Sequence, residues 1–122
     1  MQNNVNLVVI QGNLTKDPEC KDINGTLMCN FTIASNKVYK DIKDTCFIDV
    51  KCWGNKSSVV ERFLTKGSPV LIEGRIQQEK WTSPEGNERS KHIILLENLT
   101  MLPSQKKKTK DNAMSDDRDI LF

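Results

Sequence analysis

Cys46-Phe47-Ile48-Asp49-Val50-Lys51-Cys52-Trp53-Gly54 is the stretch on which the reading of this chain turns. Successive side chains of a strand point to opposite faces. Ile48, Val50 and Cys52 then share one face, which suits a core. Phe47, Asp49, Lys51 and Trp53 share the other. Aspartate and lysine are rarely buried, so the second face is expected to be wet. Two large aromatics interleaved with a lysine on a wet face call for a reason beyond packing.

Downstream, Ser57 to Lys66 reads as a helix. Ser58 with Glu61 fits a capping box, Val60, Phe63 and Leu64 fall on one face, and Gly67 stands where a helix-ending glycine belongs. Pro69 to Trp81 reads as a long strand, Thr82 to Asn87 as a turn, and Glu88 to Leu102 as the last strand. Upstream, Val5 to Leu14 reads as a strand and Leu27 to Val38 as a second, with the turn pair Asn24-Gly25 between them. Lys40 to Thr45 is polar and reads as a loop. The expected fold class is all-β: five strands with one helix between the third and fourth, the order of an OB-fold Greek-key barrel.

After Pro103 the composition changes. Residues 1–103 hold 13 Lys and Arg against 12 Asp and Glu, and residues 104–122 hold 5 against 4. The expected organisation is a folded domain over 1–103, a flexible basic linker over 104–115, and an acidic-apolar tip over 116–122, Asp116-Asp117-Arg118-Asp119-Ile120-Leu121-Phe122. A disordered C-terminal tail is therefore expected.

Several function classes recede. No apolar run is long enough to span a bilayer, and Leu7 to Ile10 is too short for the core of a signal peptide, so a cytoplasmic, nucleoid-associated protein is expected. Cys20, Cys29, Cys46 and Cys52 form no CxxC pair and the one histidine is His92, so no metal site, no cofactor and no catalytic residues are expected. The cysteines read as reduced thiols, with Cys46 and Cys52 pointing into the core.

The wet face suits unpaired nucleic acid, because every base offers a flat apolar surface and a lysine can track phosphates. The strand after the helix repeats the pattern: Val70, Ile72 and Ile76 share one face, and Arg75, Gln77, Glu79 and Trp81 the other. Gly74 is the place where a bulge would re-aim that strand. Tyr39, beside Lys37 and Lys40, is a further aromatic candidate. Lys37, Lys40, Lys51, Arg75, Lys80 and Arg89 are the candidate phosphate contacts. Two other readings stay open: an OB-fold RNA binder of the cold-shock type, and a protein-interaction adaptor using the same aromatics as an interface.

At this point the chain resembles a known family. Val9-Ile10-Gln11-Gly12-Asn13-Leu14 followed by Asp17-Pro18-Glu19, then Asn30-Phe31-Thr32-Ile33-Ala34, resembles the opening and second strand of bacterial single-stranded DNA-binding proteins. Lys66-Gly67-Ser68-Pro69-Val70, Ile72-Glu73-Gly74-Arg75 and Lys80-Trp81-Thr82 are similar to their helix end, fourth strand and hairpin. The resemblance runs over residues 5–102 and reaches the chain end. It implies a homotetrameric OB-fold protein that binds single-stranded DNA without sequence specificity in replication, recombination and repair. It places the base-stacking positions on Tyr39, Phe47, Trp53 and Trp81. It makes Asp116, Asp117, Asp119, Ile120, Leu121 and Phe122 the site that docks partner proteins. Tyr39 and Phe47 stand where many relatives carry tryptophan, and Asp49 and Gln77 to Glu79 where many carry basic residues.

Overall fold

The computed structural model describes residues 2–103. Along them run β1 (Val8–Leu14), β2 (Glu19–Ile23), β3 (Thr26–Tyr39), β4 (Ile42–Trp53), α1 (Asn55–Phe63), β5 (Pro69–Thr82) and β6 (Glu88–Met101). The strands form one sheet in the order β1-β5-β6-β4-β3-β2. A further pairing of β1 with β3, through Asn13 opposite Ala34 and Leu14 opposite Ile33, closes the sheet on itself. The closed ring is the five-stranded barrel β1-β5-β6-β4-β3, an OB-fold, and β2 adds a short arm outside it. Closure leaves few free edges.

Sequence chemistry accounts for the junctions. Asn24 and Gly25 both have positive φ, 52° and 84°, as a tight hairpin between right-twisted strands requires. The β2 arm they create has no counterpart in the sequence reading. The polar stretch expected to be a loop from Lys40 to Thr45 is instead a tight turn, with Lys40 at φ 56°, after which β4 resumes at Ile42. The helix is shorter and earlier than expected, and the Ser58 capping box does not form: the cap is Gly54, with no side-chain hydrogen bond. Ser57 is engaged inside, where its hydroxyl donates to the Cys52 carbonyl at 2.8 Å. Gly67, at φ 91°, does not end the helix but sits in the following turn, where the Ser68 amide donates to the Thr65 carbonyl at 3.0 Å.

The interior is filled by Cys29, Phe31, Ile33, Val50, Cys52, Val60, Leu64, Val70, Ile72, Ile94 and Leu96, with Leu14 at the closure. Fully burying one such aliphatic side chain contributes about 1.5–3 kcal/mol. Val60 from α1 and Leu64 just after it plug the barrel, while Phe63 points outward.

Two of the four cysteines depart from the thiol reading. Cys20 and Cys29 lie opposite each other across the β2–β3 hairpin, with Cα atoms 4.0 Å apart, and are joined as a disulfide. The hairpin register alone brings them together. Cys46, expected in the core, is exposed, because the β3–β4 hairpin runs on past the barrel and its inward face there has nothing to cover it. Ile42 is exposed for the same reason at the end of that hairpin. Cys52 is a buried thiol, and burial pushes its pKa up. In the chain-entropy account, a cross-link over so short a loop stabilises the fold by about 2–3 kcal/mol. Dithiothreitol is therefore expected to lower the unfolding free energy by roughly that amount in the wild type and not at all in Cys20→Ser. A wild-type denaturation curve that ignores the reductant would contradict the cross-link.

Candidate nucleic-acid interface

The outward faces of β3, β4, β6 and β5 adjoin in one surface, hollowed where the four strands meet. Strand alternation builds it. On β4, Phe47, Asp49, Lys51 and Trp53 point out, opposite Ala34, Thr32, Asn30 and Met28 of β3. On β5, Gln77, Glu79 and Trp81 point out, opposite Ile93, Lys91 and Arg89 of β6. The register shift near Gly74 leaves Glu97 of β6 without a partner, so the extra residue is on β6 and the alternation of β5 is undisturbed.

Three of the four aromatic candidates share this surface. Phe47, Trp53 and Trp81 are 65%, 41% and 47% exposed, far more than rings sealed in a core. Tyr39 is exposed too, with the Lys40 ammonium 5.4 Å from its ring centre. The unbroken β3–β4 register sets Tyr39 on the side of the hairpin that carries Phe31 and Ile33, not on the side of Phe47. The tertiary structure thus groups three rings and places Tyr39 apart, at the hairpin end with Lys37 and Lys40.

The basic candidates divide. Lys80 and Arg89 line a hollow beside Trp81, with Gln78, Glu88 and Ser90. Lys51 is not free: its ammonium is bonded to Glu79, and both side chains are three-quarters covered. Arg75 lies away from these hollows, at the bulge, 3.6 Å from the Glu97 carboxylate. Alternation on the last strand was the available signal for a residue the sequence reading passed over: Lys91 shares the face of Arg89 and meets Asp49 at 2.8 Å.

The floor between the rings is a cavity of about 290 Å³, lined among others by Asn30, Phe31, Thr32, Lys51, Glu79 and Lys91. Ile93 seals it from below, nearly fully buried yet outside the barrel core. Thr32 donates to the Asp49 carboxylate at 2.6 Å, from the side away from Lys91. The bond from Lys91, then that from Thr32, holds the Asp49 carboxyl below the usual carboxylate range. The same bond to Asp49 raises Lys91 above its ordinary value.

The sign of the resulting pH dependence follows. A lowered carboxyl pKa adds stability above the unfolded value, near 3.9, and that gain is lost as pH falls through the folded pKa. A raised lysine pKa adds stability below about 10.4, and that gain is lost as pH rises through the folded pKa. Asp49→Asn is therefore expected to be less stable than the wild type at pH 7, by no more than about 1 kcal/mol for a pair this exposed to solvent. The gap should narrow as pH falls below the ordinary carboxylate range and again as it rises past the ordinary lysine value, in urea titrations. A gap that stays constant across that range would show that the pair contributes nothing.

Among the described residues no helix is long and apolar enough to cross a membrane. No group of three or more His, Cys, Asp or Glu among them is arranged to hold a metal ion. The tip residues Asp116 to Phe122 and the linker lie outside the described residues.

Residues 5–102 match the model of the single-strand binding protein family. The chain is 40% identical over 106 residues to the single-stranded DNA-binding protein of Helicobacter hepaticus, covering 82% of this chain and 62% of that one. It is 38% identical over 106 residues to the single-stranded DNA-binding protein of Wolinella succinogenes, covering 82% and 65%. It is 32% identical over 117 residues to the single-stranded DNA-binding protein of Helicobacter pylori, covering 91% and 65%. The chain thus spans somewhat under two thirds of the length of these relatives. A match across nearly the whole barrel, on the strands that carry the outward rings, places the chain in the single-strand binding protein family.

Proposed function

We propose that this protein binds single-stranded DNA without sequence specificity, and that it protects the strand during replication, recombination and repair. The observation that carries the reading is the outward display of Phe47, Trp53 and Trp81 on one concave surface. Rings in a row stack on any unpaired base, because stacking does not depend on which base is present. Arg89, exposed on the face of Trp81, and Lys80, exposed in the hollow next to it, contact phosphates there, while Lys37 and Lys40 do so at the end of the β3–β4 hairpin. Tyr39 adds a separate stacking position on the other side of the β3–β4 hairpin, and Lys51 and Arg75 join the ring surface once released from their carboxylates.

The functional unit is a homotetramer. Val5, Leu7 and Val9 form an exposed apolar line before and along β1, and a second copy would cover it. The tip Asp116, Asp117, Asp119, Ile120, Leu121 and Phe122 recruits replication and repair proteins: the aspartates steer, and the Phe122 ring enters a basic-rimmed apolar pocket.

Titration with oligo-dT, read by tryptophan fluorescence at several salt concentrations, tests the reading. Stacking on Trp53 and Trp81 predicts strong quenching, phosphate contacts predict weakening as salt rises, and the single-stranded DNA reading predicts tighter binding of DNA than of the matching RNA oligomer. No quenching would point to an adaptor, and tighter binding of RNA to an RNA-binding relative.

A further inference from the structure

The middle of the concave surface carries the wrong charge for a strand of phosphates. Three lysines line its cavity, Lys16, Lys51 and Lys91, against four carboxylates, Asp17, Glu19, Asp49 and Glu79, a net charge of 3 − 4 = −1. Two of the carboxylates are already bonded to lysine ammonium groups, Glu79 to Lys51 and Asp49 to Lys91. The pairs bridge elements, from β4 to β5 and from β4 to β6, and they lie over the buried Ile93 between the rings.

We infer that Glu79 and Asp49 act as built-in competitors for the phosphate backbone, occupying Lys51 and Lys91 until a bound strand displaces them. The inference rests on the single-stranded DNA reading and adds to it two positioning residues that tune affinity and salt response. A lysine already neutralised by a carboxylate holds no condensed anion. When a phosphate takes it over, the freed carboxylate gathers a cation from solution. Ion release on binding is thereby reduced, and with it both affinity at low salt and sensitivity to salt. The strand is held at the flanks by rings and by the exposed Lys80 and Arg89, and only loosely at the centre. Release of the strand is correspondingly easy.

The test measures oligo-dT affinity against salt for the 122-residue chain, its Glu79→Gln variant, and Asp49→Asn/Glu79→Gln. Each freed lysine is expected to steepen the log–log slope by about 0.7, so the double variant gains about 1.4. If the curves meet near 1 M salt, that slope makes the double variant bind about 25-fold more tightly at 0.1 M. Glu61→Gln, on the helix and outside the cavity, removes the same charge and is expected to leave the slope unchanged. In a Lys51→Gln background, Glu79→Gln should lose its effect, because no paired lysine remains to free. Glu79 has no hydrogen-bond partner besides Lys51 among the described side chains, so Glu79→Gln carries the test even if Asp49→Asn, which also touches Thr32, folds poorly. Wild-type binding with a slope unmoved by Glu79→Gln would overturn the inference and leave the DNA reading intact. An equal gain in the Lys51→Gln background would reduce it to a general charge effect and overturn it as well. A wild type that does not bind oligo-dT at all would instead remove the reading on which it stands.

Discussion

Trp53→Ala and Trp81→Ala are each expected to weaken oligo-dT binding by about 1–3 kcal/mol, a range established for OB-fold single-strand binders as a class. That corresponds to a loss of about 5- to 150-fold in affinity. The loss should appear with every base composition, because the ring stacks on a base face and reads no hydrogen bonds. It should also leave the salt slope unchanged, which separates ring contacts from the lysine–carboxylate pairs in the floor of the cavity. Trp→Phe at either position should restore most of the binding. Both rings lie outside the barrel core, so alanine should change stability by no more than about 1 kcal/mol, and circular dichroism melts can check it. Unaltered affinity in both alanine variants would remove the rings from the mechanism.

Gly74→Ala is expected to give the largest loss of stability from a single methyl group. A Cβ at Gly74 would press into the Leu95 carbonyl and stand 3.0 Å from Ile94 Cγ2. The obstacle is backbone of the neighbouring strand, at the very point where the β5–β6 register shifts, so no side-chain rotation relieves it. Gly12 is the partner case: its Cβ would meet the Ala34 carbonyl oxygen at 2.5 Å, where β1 closes the barrel on β3. Overpacking a core usually costs about 1–3 kcal/mol and more where only backbone can yield. For a domain whose net stability is about 5–15 kcal/mol, either variant should show a large fall in urea midpoint. Ile76→Ala, on the same face of β5, should cost only about 1 kcal/mol because Ile76 is 42% exposed. A Gly74→Ala protein as stable as the wild type would mean the strands do not cross so closely.

Much of the fold was readable from local patterns. Period-two alternation in Cys46 to Gly54, the turn chemistry of Asn24-Gly25, and a helix between two groups of strands pointed to a small, mostly β domain with one helix, and the likeness of that element order to an OB-fold supplied the barrel. The misreadings share one cause. Capping by Ser58, Cys46 in the core, and a loop from Lys40 to Thr45 were all judged from composition within a few residues. Each outcome was decided by what lay across the fold: a buried Ser57 bonded to Cys52, and a hairpin long enough to outrun the barrel.

By itself the sequence determined which side chains alternate, the turn at Asn24-Gly25, and hence that Phe47 and Trp53 share a face opposed to Ile48, Val50 and Cys52. Those are properties of neighbours along one chain, set by strand geometry at short range. Only the tertiary structure decided that Trp81 joins that face while Tyr39 does not, that Cys20 bonds to Cys29, and that Lys51 and Lys91 are claimed by Glu79 and Asp49. Such pairings depend on register between strands and on barrel closure. A shift of one residue in register would exchange every partner while leaving the alternation of each strand untouched.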